Sequence, residues 1–123
     1  MTAFTALEPR TRAFSAAVVV DGWVHISGQI GSDPTGRVVG DCGQQTTRCL
    51  QKIDDLLAAV QASRSDVVKL TAYLVDAGDY ALYAEAKAAW VATPAPAGTA
   101  VVVAGLLVPG ARIEVEALAC VRR

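Results

Sequence analysis

Apolar residues in this chain fall into short blocks with two different periods. Residues 13–20 are apolar and rich in valine, which predicts a strand. Asp21-Gly22 follows, a pair suited to a two-residue hairpin. Residues 23–28 then read as the returning strand. Trp23, His25 and Ser27 fall on one face, and Val24 and Ile26 on the other. Asp33-Pro34-Thr35-Gly36 is a turn by its chemistry, and Arg37-Val38-Val39 reads as a short third strand. The period changes over residues 43–62. There Leu50, Ile53, Leu57 and Val60 recur at helix spacing with Leu56 beside them, and Ser63-Arg64-Ser65 ends the helix. Residues 66–76 return to a strand. Asp79 is the expected N-cap of a second helix over 80–91, with Leu82, Ala86 and Ala89 or Trp90 as its buried stripe. The Thr93-Pro94-Ala95-Pro96 run stops that helix. Residues 99–104 form a strand that reads as buried on both faces. Residues 111–121 form the last, with Ile113, Val115, Ala117, Ala119 and Val121 on one face and Arg112, Glu114, Glu116, Leu118 and Cys120 on the other.

The predicted order is β-β-β-α-β-α-β-β, an α+β layer with both helices on one face of a sheet. The 123 residues suffice for one domain, residues 1–123. Two helices cover only one sheet face, yet the chain is 53% hydrophobic and only 19% charged. The uncovered face is therefore expected to pack against another copy of the chain.

Charge and composition exclude several classes. A net charge of -1 argues against a broad electrostatic nucleic-acid binder. No apolar run approaches the ~20 residues of a membrane span, and no signal-peptide pattern is visible, so a cytoplasmic location is expected. Cys42, Cys49 and Cys120 are scattered, contain no CxxC pair, and cannot form a usual zinc set with the single histidine, His25. They read as reduced thiols, and no metal or cofactor is expected. His25 could serve a thiol only if the fold brought the two together. There is no phosphate-binding glycine loop and no nucleophile elbow.

Two features carry candidate chemistry. Glu114 and Glu116 share the polar face of the last strand, where one could line a cleft and orient a water or a substrate amine. Ser27-Gly28 at a strand end could present a hydroxyl and bare backbone to a ligand. Trp23 and His25 read as rim or interface residues, and Tyr73, Tyr80 and Tyr83 as packing residues with exposed hydroxyls. Lys52, Asp54, Asp55, Glu85 and Lys87 read as a solvated helix face.

These pieces together resemble the RidA/YjgF family of enamine/imine deaminases, whose older label is endoribonuclease L-PSP. Phe14-Ser15-Ala16-Ala17-Val18 resembles its Tyr-Ser-x-Ala opening strand, and His25-Ile26-Ser27-Gly28-Gln29-Ile30 its Ser-Gly-Gln strand. Asp33-Pro34-Thr35-Gly36 resembles its next turn, and Gln45-Thr46 the start of its first helix. Asp66-Val67-Val68-Lys69-Leu70-Thr71 and Ile113-Glu114-Val115-Glu116-Ala117 resemble two further strands. The resemblance implies a chorismate-mutase-like fold and a homotrimer with small-molecule clefts at the subunit boundaries. There water adds to an imine carbon and ammonia leaves.

Mapped onto this chain, the resemblance implies Glu116 as the water-positioning carboxylate, with Phe14, Ser27, Gly28, Gly98, Thr99 and Ala100 lining the cleft. Two positions depart from the pattern. Phe14 lacks the family tyrosine's hydroxyl, and Gly98 stands where the family has a carboxylate-binding arginine. Losing one partner of a buried charge pair costs roughly 2–5 kcal/mol. Activity on 2-imino acids is therefore expected to be weak or absent, and the pocket to suit an uncharged or bulkier ligand. Arg112 is a substitute cation, although it lies about 13 Å along the strand from Glu116. The readings are a diverged hydrolase of an imine-type C–N bond, a non-catalytic small-molecule-binding trimer, or another reaction on the same scaffold. Ribonuclease activity is disfavoured: one histidine and an acidic balance supply neither an acid/base pair nor a phosphate clamp.

Overall fold

The computed structural model describes residues 4–9 and 13–121. Six strands form one sheet: β1 (Thr5–Pro9), β2 (Ser15–Val20), β3 (Trp23–Ile30), β4 (Val67–Leu74), β5 (Ala97–Val102) and β6 (Ile113–Cys120). They lie in the order β1-β2-β3-β6-β4-β5. All pairs are antiparallel except β4 with β5, which are parallel and joined through the helix between them. Two helices, α1 (Cys42–Ala59) and α2 (Tyr80–Trp90), pack on each other, and α1 lies across β3 and β6.

Local chemistry accounts for these elements. Asp21 and Gly22 both take positive φ, at 51° and 79°, the geometry a tight hairpin between β2 and β3 requires. Asp41 caps α1: its side chain accepts from the Gln44 amide at 2.8 Å, and the Gln44 side chain accepts from the Asp41 amide at 2.9 Å. Leu50, Ile53, Leu56 and Leu57 of α1 close over Val24, Ile26, Leu70, Val115 and Ala117 of the sheet, all of them buried. Along β6, Ile113, Val115, Ala117 and Ala119 point into this core, while Glu114, Glu116, Leu118 and Cys120 stay partly exposed on the other face.

The α+β class and the one-sided helix layer match the expectation, with five local corrections. The strand expected at residues 37–39 is a single bridge, Ser32 to Val38, and the sixth strand is the N-terminal β1. In α2 the buried residues are Tyr83 and Trp90, two turns apart, whereas Leu82 is exposed. Tyr83 is buried to its hydroxyl, which has no hydrogen-bond partner among the described residues. Asp79 stands at the head of α2 but makes no side-chain cap, because its carboxylate takes Arg112 Nε at 2.7 Å instead. Finally, β5 is exposed along its whole length: pairing with β4 leaves its other edge open, so nothing in one chain buries both faces.

Candidate functional site

The open face of the sheet is a lattice of side chains set by register. One row runs His25, Leu118, Lys69 and Ala97 across β3, β6, β4 and β5. Glu116, Thr71 and Thr99 stand in the next, and Glu114, Tyr73 and Val101 in the third. Where β3 should continue the pattern it bulges. Ile26 faces Ala117 but Gln29 faces Val115, so three steps on β3 match two on β6. The extra residue falls at Ser27-Gly28.

That bulge decides which carboxylate meets the strand end. Gly28 lies directly over the Glu114 side chain. A Cβ built on Gly28 would stand 2.8 Å from Glu114 Cδ and 2.9 Å from Cγ, so the Glu114 side chain occupies the space that a side chain at position 28 would take. Glu114 also borders a recess of about 200 Å³ with Tyr73, Val103, Gly105, Leu106 and Leu107. Glu116 lies one row inward. Its Oε1 accepts the Tyr73 hydroxyl, and that bond holds the Tyr73 proton and pushes its pKa up. Glu116 shares a second recess, of about 220 Å³, with His25, Lys69, Thr71 and Leu118.

The other expected residues separate into two groups. Ser27 and the exposed Phe14 stand beside the bulge, but the Ser27 hydroxyl donates to the Ser15 carbonyl at 2.7 Å. Gly98, Thr99 and Ala100 lie on β5, at the far edge. Three strand spacings, about 14 Å, separate β3 from β5, so one chain cannot enclose a small molecule with both groups. Arg112 lies elsewhere again, bound to Asp79 at 2.7 Å and near Asp76 at 3.8 Å. Two carboxylates therefore hold the charge proposed as a substitute cation.

The cysteines belong to the core, apart from partly exposed Cys120. Burial pushes the Cys42 thiol up, and that of Cys49 up to about 12, so neither is a ready nucleophile. The Cys49 thiol donates to the Gln29 carbonyl at 3.1 Å. No hydrogen bond joins His25 to a cysteine among the described residues, and no group of three His, Cys, Asp or Glu there could hold a metal.

Sequence reasoning missed four groups. Tyr73 read as packing, yet its hydroxyl holds Glu116. Lys52 read as solvated, yet its ammonium donates to the Ile30 carbonyl at 2.8 Å and to Ser32 Oγ at 2.6 Å. Asp54 binds Arg64 at 2.9 Å, and Arg64 in turn lies over the Trp90 ring. Lys87 reaches under Gly98. Residues 66–76 read as a strand without a face assigned to Lys69 or Tyr73, and the partner strand that decides their contacts was not readable from the sequence.

This architecture, a six-stranded sheet with two helices on one face, has known counterparts. Residues 5–121 match the family model described as endoribonuclease L-PSP. The chain is 37% identical over 109 residues to the 2-iminobutanoate/2-iminopropanoate deaminase of Rattus norvegicus, covering 87% of this chain and 79% of the relative. It is 39% identical over 108 residues to a RutC family protein of Pyrococcus abyssi, covering 86% and 84%. The crystal structure of RidA from an Antarctic Psychrobacter superposes with a TM-score of 0.85 at 33% identity, covering 94% of each chain. The chain belongs to the endoribonuclease L-PSP family, the RidA/YjgF family that its motifs resemble.

Proposed function

We propose that the chain hydrolyses the C–N bond of a small imine, or its enamine tautomer, in a cleft shared by two copies, as part of a homotrimer. The observation that carries this reading is the pairing of Gly28 with Glu114. A half-buried carboxylate lies against bare backbone at the mouth of a recess, and no side chain among the described residues donates to it. The relatives named as 2-iminobutanoate/2-iminopropanoate deaminases supply the reaction class.

In this reading Glu114 accepts a hydrogen bond from water and takes its proton as the oxygen attacks the imine carbon. The C=N π electrons become a nitrogen lone pair, and Glu114 returns the proton to that nitrogen, giving a neutral carbinolamine. Glu114 then takes the hydroxyl proton and delivers it to nitrogen; the O–H electrons form the C=O bond as the C–N bond breaks, and ammonia leaves with a carbonyl product and the carboxylate regenerated. Backbone at Ser27-Gly28 and the strand β5 of a second copy orient the substrate. The second copy is required because Gly98, Thr99 and Ala100 stand on the opposite sheet edge. Exposed Val102 and the fully exposed Leu107, close to that edge, provide apolar surface for such a contact.

Glu116, the carboxylate singled out from the sequence, is the second reading for the water-orienting group. Its hydrogen bond from Tyr73 favours it, since that bond fixes the side chain and leaves Oε2 free to accept. A binding trimer without chemistry is favoured by one feature only: Phe14 and Ser27 offer the cleft no free hydroxyl. Ammonia release from freshly generated 2-iminopropanoate and from a carboxylate-free imine tests all three. Wild type should exceed the spontaneous rate with at least one substrate. Loss of that rate in Glu114→Gln, with Glu116→Gln retained, assigns the water to Glu114, and the reverse pattern assigns it to Glu116. No acceleration with either substrate supports the non-catalytic trimer.

A further inference from the structure

One wall of the recess beside Glu114 has no backbone support of its own. Val103, Gly105, Leu106 and Leu107 line that recess of about 200 Å³ together with Tyr73 and Glu114. All four lie on the segment that joins β5 to β6. Residues 104–107 make no hydrogen bond among the described residues, and Leu107 is fully exposed. The wall is therefore held only through its two ends. At its entry the Val103 amide donates to the Leu74 carbonyl at 2.8 Å, which continues the pairing of β5 with β4. At its exit the chain turns through Gly110, with φ at 84°, and the Ala111 amide donates to the Val108 carbonyl at 3.1 Å.

The exit is tied to the core by one side chain. Gln45, in the first turn of α1, is 1% exposed. Its Nε2 donates to the Gly110 carbonyl at 3.2 Å and to the Gly40 carbonyl at 3.0 Å, and its Oε1 accepts from the Arg112 amide at 2.9 Å. Both amide hydrogens and the amide oxygen are thus used. A Cβ built on Gly31 would stand 2.5 Å from Gln45 Cα, so α1 lies directly on the backbone that leaves β3 and Gln45 is fixed from below. The remaining ties at the exit are the Val75 amide, which donates to the Arg112 carbonyl at 3.2 Å, and the solvent-screened pair of Arg112 with Asp79. An apolar side chain at position 45 would fill the same space but deprive the Gly110 carbonyl and the Arg112 amide of their partner.

We infer that Gln45 is a positioning residue for the recess: it sets where the wall of Val103, Gly105, Leu106 and Leu107 stands relative to Glu114, and so how closely substrate is held beside that carboxylate. This rests on the imine-hydrolase reading above and deepens it. Glu114 itself is fixed by other means, its pairing on β6 with Ile30 and Tyr73. Loosening the wall therefore weakens substrate binding more than it slows the bound substrate.

Ammonia release from 2-iminopropanoate by wild type, Gln45→Met, Gln45→Glu and Asp79→Asn tests it, well below each thermal midpoint. Gln45→Met should raise KM about tenfold with kcat within about twofold of wild type. Gln45→Glu keeps an acceptor for the Arg112 amide and should fall between the two. Asp79→Asn loosens the same exit from the surface and leaves the core intact, so it should raise KM about twofold. NMR order parameters of residues 104–107 should fall in the same sequence. A lowered thermal midpoint with KM and kcat unchanged would make Gln45 merely structural and overturn the inference. A loss confined to kcat would overturn it too, by placing the effect on Glu114. Should Gln45→Met fail to fold, the KM values of Gln45→Glu and Asp79→Asn decide by the same criteria. Pyruvate binding, followed by NMR titration, separates this inference from the reading beneath it. If wild type releases no ammonia, the hydrolase reading fails, and pyruvate affinity about tenfold weaker in Gln45→Met keeps the role of Gln45 at the recess. Unchanged pyruvate affinity, or no pyruvate binding at all, then removes that role as well. Ammonia release by wild type with the same KM in every variant keeps the hydrolase reading and overturns this one.

Discussion

The two faces of one sheet are built from the same strands and have opposite chemistry. On the covered face, Ile113, Val115, Leu70 and Val24 lie against α1 with almost no exposure. On the open face the alternate residues of those strands are Glu114, Glu116, Lys69, Thr71, Tyr73 and His25, each with some access to solvent. The covered face has an occupant for every side chain within one chain. The open face holds charged groups in recesses and leaves β5 exposed. Stability therefore resides on one side, and the chemistry proposed here on the other.

This contrast can be broken most forcefully from the covered side. Ile113→Ala removes buried methylenes where the helix layer cannot collapse, and should cost about 2–5 kcal/mol in chemical denaturation. Leu118→Ala, one face over on the same strand, should cost under about 1.5 kcal/mol and instead weaken self-association, read by sedentation velocity or light scattering. Equal costs at the two positions would show the open face to be as tightly packed as the covered one.

Next in size are changes at the bulge. Glu114→Gln should lower ammonia release by about 10²-fold, the scale of a positioned acid–base group, while the thermal midpoint stays near wild type. Gly28→Ala drives a methyl group into the Glu114 side chain and should reduce the same rate with the fold retained, seen as unchanged far-UV circular dichroism. If Gly28→Ala retained full activity, Glu114 would not need its present position.

A smaller effect comes from pH. Cys49 has its thiol raised from 9.0 to about 12 by burial. Above the unfolded value the unfolded chain loses its proton first, so the folded state binds more protons and stability falls as pH rises from about 9 toward about 12. Urea denaturation at a series of pH values should show this slope, and Cys49→Ala should flatten it. In the native protein Cys49 should also resist alkylation near neutral pH while the partly exposed Cys120 reacts.

The smallest change is expected from Tyr73→Phe. It removes one hydrogen bond to a partly exposed carboxylate, worth no more than about 1 kcal/mol after solvent screening. Glu116 should become more mobile by NMR. A large loss of ammonia release in this variant would point to Glu116, and not Glu114, as the group that orients water.

Much of this molecule follows from period and turn chemistry read along the chain. The Asp21-Gly22 hairpin, the apolar stripe of α1 and the alternation of β6 are local properties, set by neighbours within a few residues. They suffice for the α+β class and for placing Glu114 and Glu116 on one face of the last strand; the register of β4 against β6 adds Lys69 and Tyr73 to that face. The motifs shared with the family reached further and identified it. What local pattern did not reveal is which of those residues meet. The β1 strand has too short a pattern to stand out, and β5 has apolar residues on both sides although it lies at an edge. Residues two apart on β6 are equivalent by alternation. Only the one-residue bulge in β3 distinguishes them, setting Gly28 on Glu114 and leaving Glu116 to Tyr73. Lys87 is an ordinary helix lysine in sequence. It reaches Gly98 because the β4–α2–β5 connection brings α2 back beside the parallel strand, and because glycine has no side chain to exclude it. Backbone propensity and hydrophobic period act over a few residues and are written in the chain itself. Register, bulges and the pairing of distant charges arise when strands meet, and tertiary structure alone decided those.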